Sequence, residues 1–182
     1  MPRQPRQKSE TGIYHITFRG NDKSYIFNSD EQKLYLLKLL ERIVADDDVR
    51  ILAYCLMGNH IHLVVKEGKK TVGQALNRIK TSYSQWYNRD LGRTGHMFGD
   101  RFHSEPVEDD VYLLSVMAYV FQNPVKAKIC QRPEDYHWSS FGDLAIGAHN
   151  PIISRLEIEA VADIKGIIQY TKSRKPVGEH IV

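Results

Sequence analysis

Cysteine is nearly missing: the 182 residues hold two, Cys55 and Cys130, and neither stands in a C-x-x-C spacing. That excludes a disulfide framework and a zinc ribbon, and it fits a reducing cytoplasm. Long apolar runs are missing as well. No stretch approaches the roughly 20 residues that a bilayer-spanning helix needs, and the polar, basic beginning lacks the apolar centre of a signal peptide. The expected setting is a soluble, cytoplasmic protein. There is no internal repeat and no low-complexity tract, and no interior linker divides the chain, so its length reads most simply as one domain able to bury its own core. Excess charge is small: 25 Lys and Arg against 22 Asp and Glu, formally +3, with a pI near 8.8. This permits a nucleic-acid partner without demanding one. The first residues, MPRQPRQK, carry Arg3, Arg6 and Lys8 with no acid. They read either as a solvated terminus or as a phosphate-binding arm.

The segment IYHITFR, residues 13–19, is rich in β-branched and aromatic types and runs into Gly20-Asn21, so a strand and turn are expected. Ser29-x-x-Gln32 is a capping box opening a helix over about residues 30–45, with Leu36, Leu37, Leu40, Ile43 and Val44 at core spacing. VRILAYCLM and then His60–Lys66 make two strands joined at Met57-Gly58-Asn59. Thr71-x-x-Gln74 caps a second helix reaching about Arg89. Residues 88–104, rich in glycine, basic and aromatic types, form a loop or hairpin. Glu108, Asp109 and Asp110 favour a helix start, and Asn123-Pro124 marks its end. Residues 154–172 read as one amphipathic helix before the basic tail KSRKP.

The chemistry-bearing stretch is GNHIHLVV, residues 58–65. Side chains alternate across a strand, so His60, His62 and Val64 share one face while Ile61, Leu63 and Val65 share the other. Two neighbouring imidazoles can be half of a metal site, or ordinary histidines of a core. On the helix from residue 108, Tyr119 and Asn123 lie four apart and so one above the other. Tyr112, Ser115 and Gln122 lie near that stripe, and Val111, Leu114, Ala118 and Phe121 are expected to pack. By themselves these read first as a half-buried packing tyrosine and a routine helix stop.

Taken in order, the arm and strand PRQPRQKSETGIYHITFRGN, the strand MGNHIHLVV, the segment IKTSYSQWYNRDLGRTGHMFGDRFHS, the helix EDDVYLLSVMAYVFQNPVKA and the run YHWSSF cover nearly all of residues 2–141. This combination resembles the HUH-type single-tyrosine transposases, in particular the branch associated with repetitive extragenic palindromes. The resemblance implies an α+β fold with a central antiparallel sheet of four or five strands and helices packed on one side. It divides the chain into a basic arm (residues 1–12), a transposase domain (13–141), and a C-terminal helical extension with a basic tail (142–182).

Carried over residue by residue, the resemblance makes His60 and His62 the histidine pair, Tyr119 the nucleophile and Asn123 the third metal ligand. Many relatives have glutamine at that last position; asparagine is a shorter amide with the same carbonyl donor. The implied activity is cleavage of single-stranded DNA beside a hairpin or palindromic repeat, through a 5′-phosphotyrosine, with Mn2+ or Mg2+ as cofactor. Two imidazoles favour manganese over magnesium. The DNA surface is expected to draw on Arg3, Arg6, Lys8, Arg19, Arg78, Lys80, Arg89, Arg93 and Arg101, with Trp86, Tyr87 and Phe102 available for stacking on bases. Alternatives are a domesticated hairpin-binding protein that no longer cuts, and a hydrolase using a bound water. The expected state is a monomer, with a homodimer as the alternative, associated with the nucleoid.

Overall fold

The structure is a computed structural model describing residues 7–46, 48–99 and 101–174. Strands β1 (Ile13–Arg19), β2 (Val49–Leu56), β3 (His60–Glu67) and β4 (His103–Pro106) form one antiparallel sheet in the order β2-β3-β1-β4. The α+β architecture is as expected, with four strands.

Helices, however, cover both faces of the sheet. The strands require this: β1 and β3 each alternate two sets of side chains that are almost all removed from water, so neither face is left to solvent. On one face, Ile16, Phe18, Ile61, Leu63 and Val65 pack against α1 (Asp30–Ala45) and α2 (Val72–Asp90) through Leu36, Leu40, Leu76 and Ile79. On the other, Ile13, Ala53, Cys55 and Val64 pack against α3 (Asp110–Lys126) through Val116, Met117, Val120 and Phe121. The register of β2 against β3 shifts between Ile51 and Ala53, and this bulge sends Leu52 and Ala53 together into the second core.

Local signals explain where the helices begin. Thr71 and Gln74 form a reciprocal capping box at α2, and Asp109 caps α3 by accepting from Tyr112 N at 2.7 Å. At α1 only half of the expected box forms. Ser29 accepts from Gln32 N, while Gln32 Oε1 turns to Asn28 N.

Three expectations are corrected. Val111 is 77% exposed rather than packed. Asn123-Pro124 does not end α3, which runs on to Lys126. Proline has no N–H, so the Val120 carbonyl loses its helical donor, and the Asn123 side chain compensates by donating to Tyr119 O at 2.9 Å and reaching Val120 O at 3.5 Å. Finally, residues 154–172 form two helices, α5 (Arg155–Val161) and α6 (Ile164–Ser173), after the short α4 (Phe141–Ile146). The break falls at Asp163, whose carboxylate caps the N–H groups of Lys165 and Gly166. α6 then lies along α3, where Gln122 Nε2 donates to Thr171 O at 2.6 Å and Arg174 Nη1 to Ser115 O at 3.4 Å.

Candidate active site on the sheet face

β1 and β3 pair so that Arg19 faces His60, Thr17 faces His62 and His15 faces Val64. Neighbouring β4 sets Glu105 opposite His15 and His103 opposite Thr17. All of these side chains point to the face that α3 crosses, and there His15 and His62 meet Tyr119 while His60 lies against His62. The ring centroids of His62 and Tyr119 are 5.5 Å apart, those of His15 and Tyr119 5.7 Å, and those of His60 and His62 4.9 Å. Lys126, two turns on from Tyr119, sets its Nζ 4.0 Å from the Tyr119 ring centroid.

Hydrogen bonds orient both imidazoles of the pair. Asn59 Nδ2 donates to Lys23 O at 3.2 Å, which turns Asn59 Oδ1 toward His60 Nδ1 at 2.7 Å. A carbonyl oxygen only accepts, so the His60 proton sits on Nδ1 and Nε2 carries a lone pair. His62 Nδ1 lies 3.2 Å from both His15 Nε2 and Thr17 Oγ1. Nε2 of His60 and of His62 makes no hydrogen bond among the described residues. Burial, reinforced by Arg19, lowers the His60 pKa to about 4. Burial, with His15, His60, Arg19 and Lys126 nearby, holds His62 well below the ordinary histidine range. Both rings are therefore neutral at physiological pH, as ligation of a metal requires.

Among the described residues no group of three or more His, Cys, Asp or Glu side chains is placed to hold a metal ion. The bare Nε2 atoms of His60 and His62, with the amide oxygen of Asn123 one turn beyond Tyr119, would be a different kind of donor set, whose chemistry suits a divalent ion. Asn123 uses its nitrogen in the helix repair described above, which leaves Oδ1 as the donor.

At the His60 end of the sheet, three loops are knitted together. Ile26 N and Phe27 N donate to Gly58 O, Asn21 N to Met97 O and Gly99 N to Arg19 O. The approach is close enough to demand glycine at Gly20, where a Cβ would strike the backbone oxygen of Ser24, whereas a Cβ on Gly58 would lie 2.8 Å from Tyr25 Cε1 and displace that ring. Tyr25, whose ring lies over Gly58, is left 67% exposed and was not singled out from the sequence.

The basic residues disperse. Arg19 is exposed at the His60 end, Arg101 is exposed just before β4, and Lys8 and Arg93 are exposed elsewhere. Lys80 Nζ lies 5.5 Å from the Phe98 ring and Arg93 Cζ 5.8 Å from the Tyr87 ring. Arg78, on the helix packed against the opposite face, is held by Asp46 and Asp48 rather than brought to the site. Arg3 and Arg6 lie outside the described residues. The expected stacking rings are structural: Tyr87 is 1% and Phe102 5% exposed, and Trp86 stacks on Tyr35 at 4.2 Å.

Residues 8–123 match the family described as transposase IS200 like. The chain belongs to the IS200-like transposases. A REP-associated tyrosine transposase solved bound to a REP hairpin has 19% identity to it and a TM-score of 0.66, over 100% of this chain and 99% of that one, and so shares its fold. A proposed transposase from Deinococcus radiodurans R1 has 13% identity and a TM-score of 0.45, over 71% of this IS200-like chain and 94% of its own. No curated relative matches the chain. Among the described residues no helix of this transposase is long and apolar enough to cross a membrane.

Sequence reasoning missed His15, Thr17 and Glu105. The available signal was the alternation in IYHITFR, where Tyr14, Ile16 and Phe18 form an apolar set while the polar His15, Thr17 and Arg19 share the other face.

Proposed function

We propose that this chain is a metal-dependent single-strand DNA endonuclease and strand transferase that cuts beside hairpin or palindromic DNA through a 5′-phosphotyrosine on Tyr119. The observation that carries the reading is the convergence of His60, His62 and Tyr119, from a strand and a distant helix, on one patch of the sheet. A tyrosine against one of two adjacent neutral imidazoles, each with a bare Nε2, suits phosphoryl transfer better than packing alone.

In the reaction, the Tyr119 phenolic oxygen attacks a backbone phosphorus, a phosphorus–oxygen bond forms, and the bond to the departing 3′-oxygen breaks. The electron pair leaves on that oxygen, which takes a proton to become a free 3′-hydroxyl. The phosphotyrosine keeps the bond energy, so a second strand's 3′-hydroxyl can reverse the step without hydrolysis. Nε2 of His60, Nε2 of His62 and Oδ1 of Asn123 would hold a divalent ion, Mn2+ or Mg2+. When bound, it supplies Lewis-acid polarisation of the phosphate oxygens. Lys126 offsets negative charge gathering on the phenolic oxygen and phosphate. Arg19 and Arg101 track phosphates, and the exposed Tyr25 ring stacks on an unpaired base. A hairpin as partner is supported by the similar fold of the REP-associated enzyme solved with one. The protein acts as a monomer, and the basic arm, residues 1–12, grips the hairpin flank.

The test is incubation of labelled single-stranded hairpin DNA with protein and manganese, resolved on a denaturing gel. A cut strand with a protein-linked band supports the reading. Cutting without that band indicates a water-using hydrolase, and binding without cutting a hairpin-binding protein; either result overturns it.

A further inference from the structure

Beneath the Tyr119 ring lies a buried polar chain that the proposed reaction does not use directly. His15 is fully buried, its ring stacks on His62 with centroids 5.4 Å apart, and its Nε2 is 3.2 Å from His62 Nδ1. Its other nitrogen, Nδ1, looks toward Glu105 Oε2 at 3.9 Å. That separation is too long for a hydrogen bond, and both atoms are buried without a partner. Tyr112 donates to the second carboxylate oxygen, Glu105 Oε1, at 2.5 Å.

Two buried, unpartnered polar atoms that face each other are a costly arrangement unless they complete each other. A carboxylate offers only lone pairs, so the compatible His15 tautomer carries its proton on Nδ1. His15 Nε2 then presents a lone pair to His62 Nδ1, and two lone pairs cannot face each other at this distance, so His62 must donate. With its proton on Nδ1, His62 has a bare Nε2. Asn59 imposes the same result on His60 by an independent route.

We infer that His15 and Glu105 are positioning residues: the order Glu105, His15, His62 fixes the His62 tautomer and leaves its Nε2 as an electron-pair donor toward the site. This rests on the reading of His62 as a ligand, but the tautomer itself does not require that reading. A carboxylate behind a ligating histidine orients the ring and raises its donor strength, and loss of such an outer partner typically weakens metal affinity about 10–100-fold. Thr17 Oγ1 shares His62 Nδ1 and can accept from the same proton without altering the assignment.

The experiment is 15N NMR of the imidazoles in the metal-free full-length protein, followed by titration with Mn2+ monitored by electron paramagnetic resonance. The expected spectrum shows His62 and His15 both protonated on Nδ1. His15→Phe, which keeps a ring in the buried space, is expected to release the His62 tautomer and weaken Mn2+ about tenfold or more. His15→Gln, with an amide oxygen near the former Nε2, is expected to restore much of both, and Glu105→Gln to act in the same direction as His15→Phe. His62 protonated on Nε2 in the wild type overturns the inference, as does Mn2+ affinity unchanged in both His15→Phe and Glu105→Gln. If these results hold but no variant or wild type forms a protein–DNA adduct, the relay stands and the transferase reading fails.

Discussion

Replacing Tyr119 by phenylalanine deletes one oxygen and keeps the ring that lies against His15, His62 and Lys126. Stability should change on the order of 1 kcal/mol or less, which is roughly the net value of one hydrogen bond, while cutting disappears. Thermal unfolding and a cleavage assay on one preparation check both halves. Tyr112→Phe is the matched control: its hydroxyl is engaged by Glu105, and burial together with that carboxylate raises its pKa, so it is a poor nucleophile. It should still cut. His60→Ala and His62→Ala should each remove metal-dependent cleavage while leaving hairpin binding largely intact, because phosphate contacts elsewhere supply most of the affinity. Full cutting by both at low manganese would remove the metal role from the pair. At this scale two separate pairings were legible, His60 with His62 from alternation in one strand and Tyr119 with Asn123 from spacing in one helix; that the pairs meet came only from the resemblance, and the structure brings His62 against Tyr119. His15 was not legible: its contact with His62 depends on how β1 registers against β3. Nor could composition decide between stacking and packing for Tyr87 and Phe102, because an aromatic side chain serves either.

Among the elements, the clearest structural role falls to a residue first expected to bind DNA. Asp48 is 3% exposed and follows α1, while Lys70 and Arg78 reach it from the start of α2 and from its second turn. Burial acts to raise its pKa, but the hydrogen bond and charge of Lys70, with the charge of Arg78, outweigh it and lower the pKa overall. A lowered folded pKa contributes stability above the unfolded value of about 3.9, which is lost as pH falls through the folded one. Arg78→Met should therefore destabilise the protein at neutral pH, by about 1 kcal/mol given that the guanidinium is partly solvated. The gap to wild type should narrow in acid, as seen by denaturant melts at neutral pH and near pH 3, and DNA affinity should be unchanged. Existence and order of the strands and long helices were readable because hydrophobic period and caps agree. The two-sided covering of the sheet was obscured because His15, Thr17, His60 and His62 made one face look polar. Likewise Asn123-Pro124 looked like a stop, and only the Asn123 amide bonds to Tyr119 O and Val120 O show how the helix passes through proline.

For the whole molecule, modest net charge means that binding must come from distribution. Deleting residues 1–8 removes Arg3, Arg6 and Lys8 and should weaken hairpin binding and flatten its salt dependence by slightly under one log–log unit per lost phosphate contact on duplex, or about 0.7 on single strands. An unchanged slope would make the arm a solvated terminus. The fold brings the β1–β3 strand pair and the capped helix α3 to one point, and the central proposal is that this point makes a covalent bond to DNA. Trapping the protein–DNA adduct formed with manganese and mapping the modified peptide by mass spectrometry tests that claim most directly. A nucleotide phosphate is expected on Tyr119 alone; attachment at Tyr112 or any other tyrosine, or cleavage with no modified peptide, would remove Tyr119 as the nucleophile.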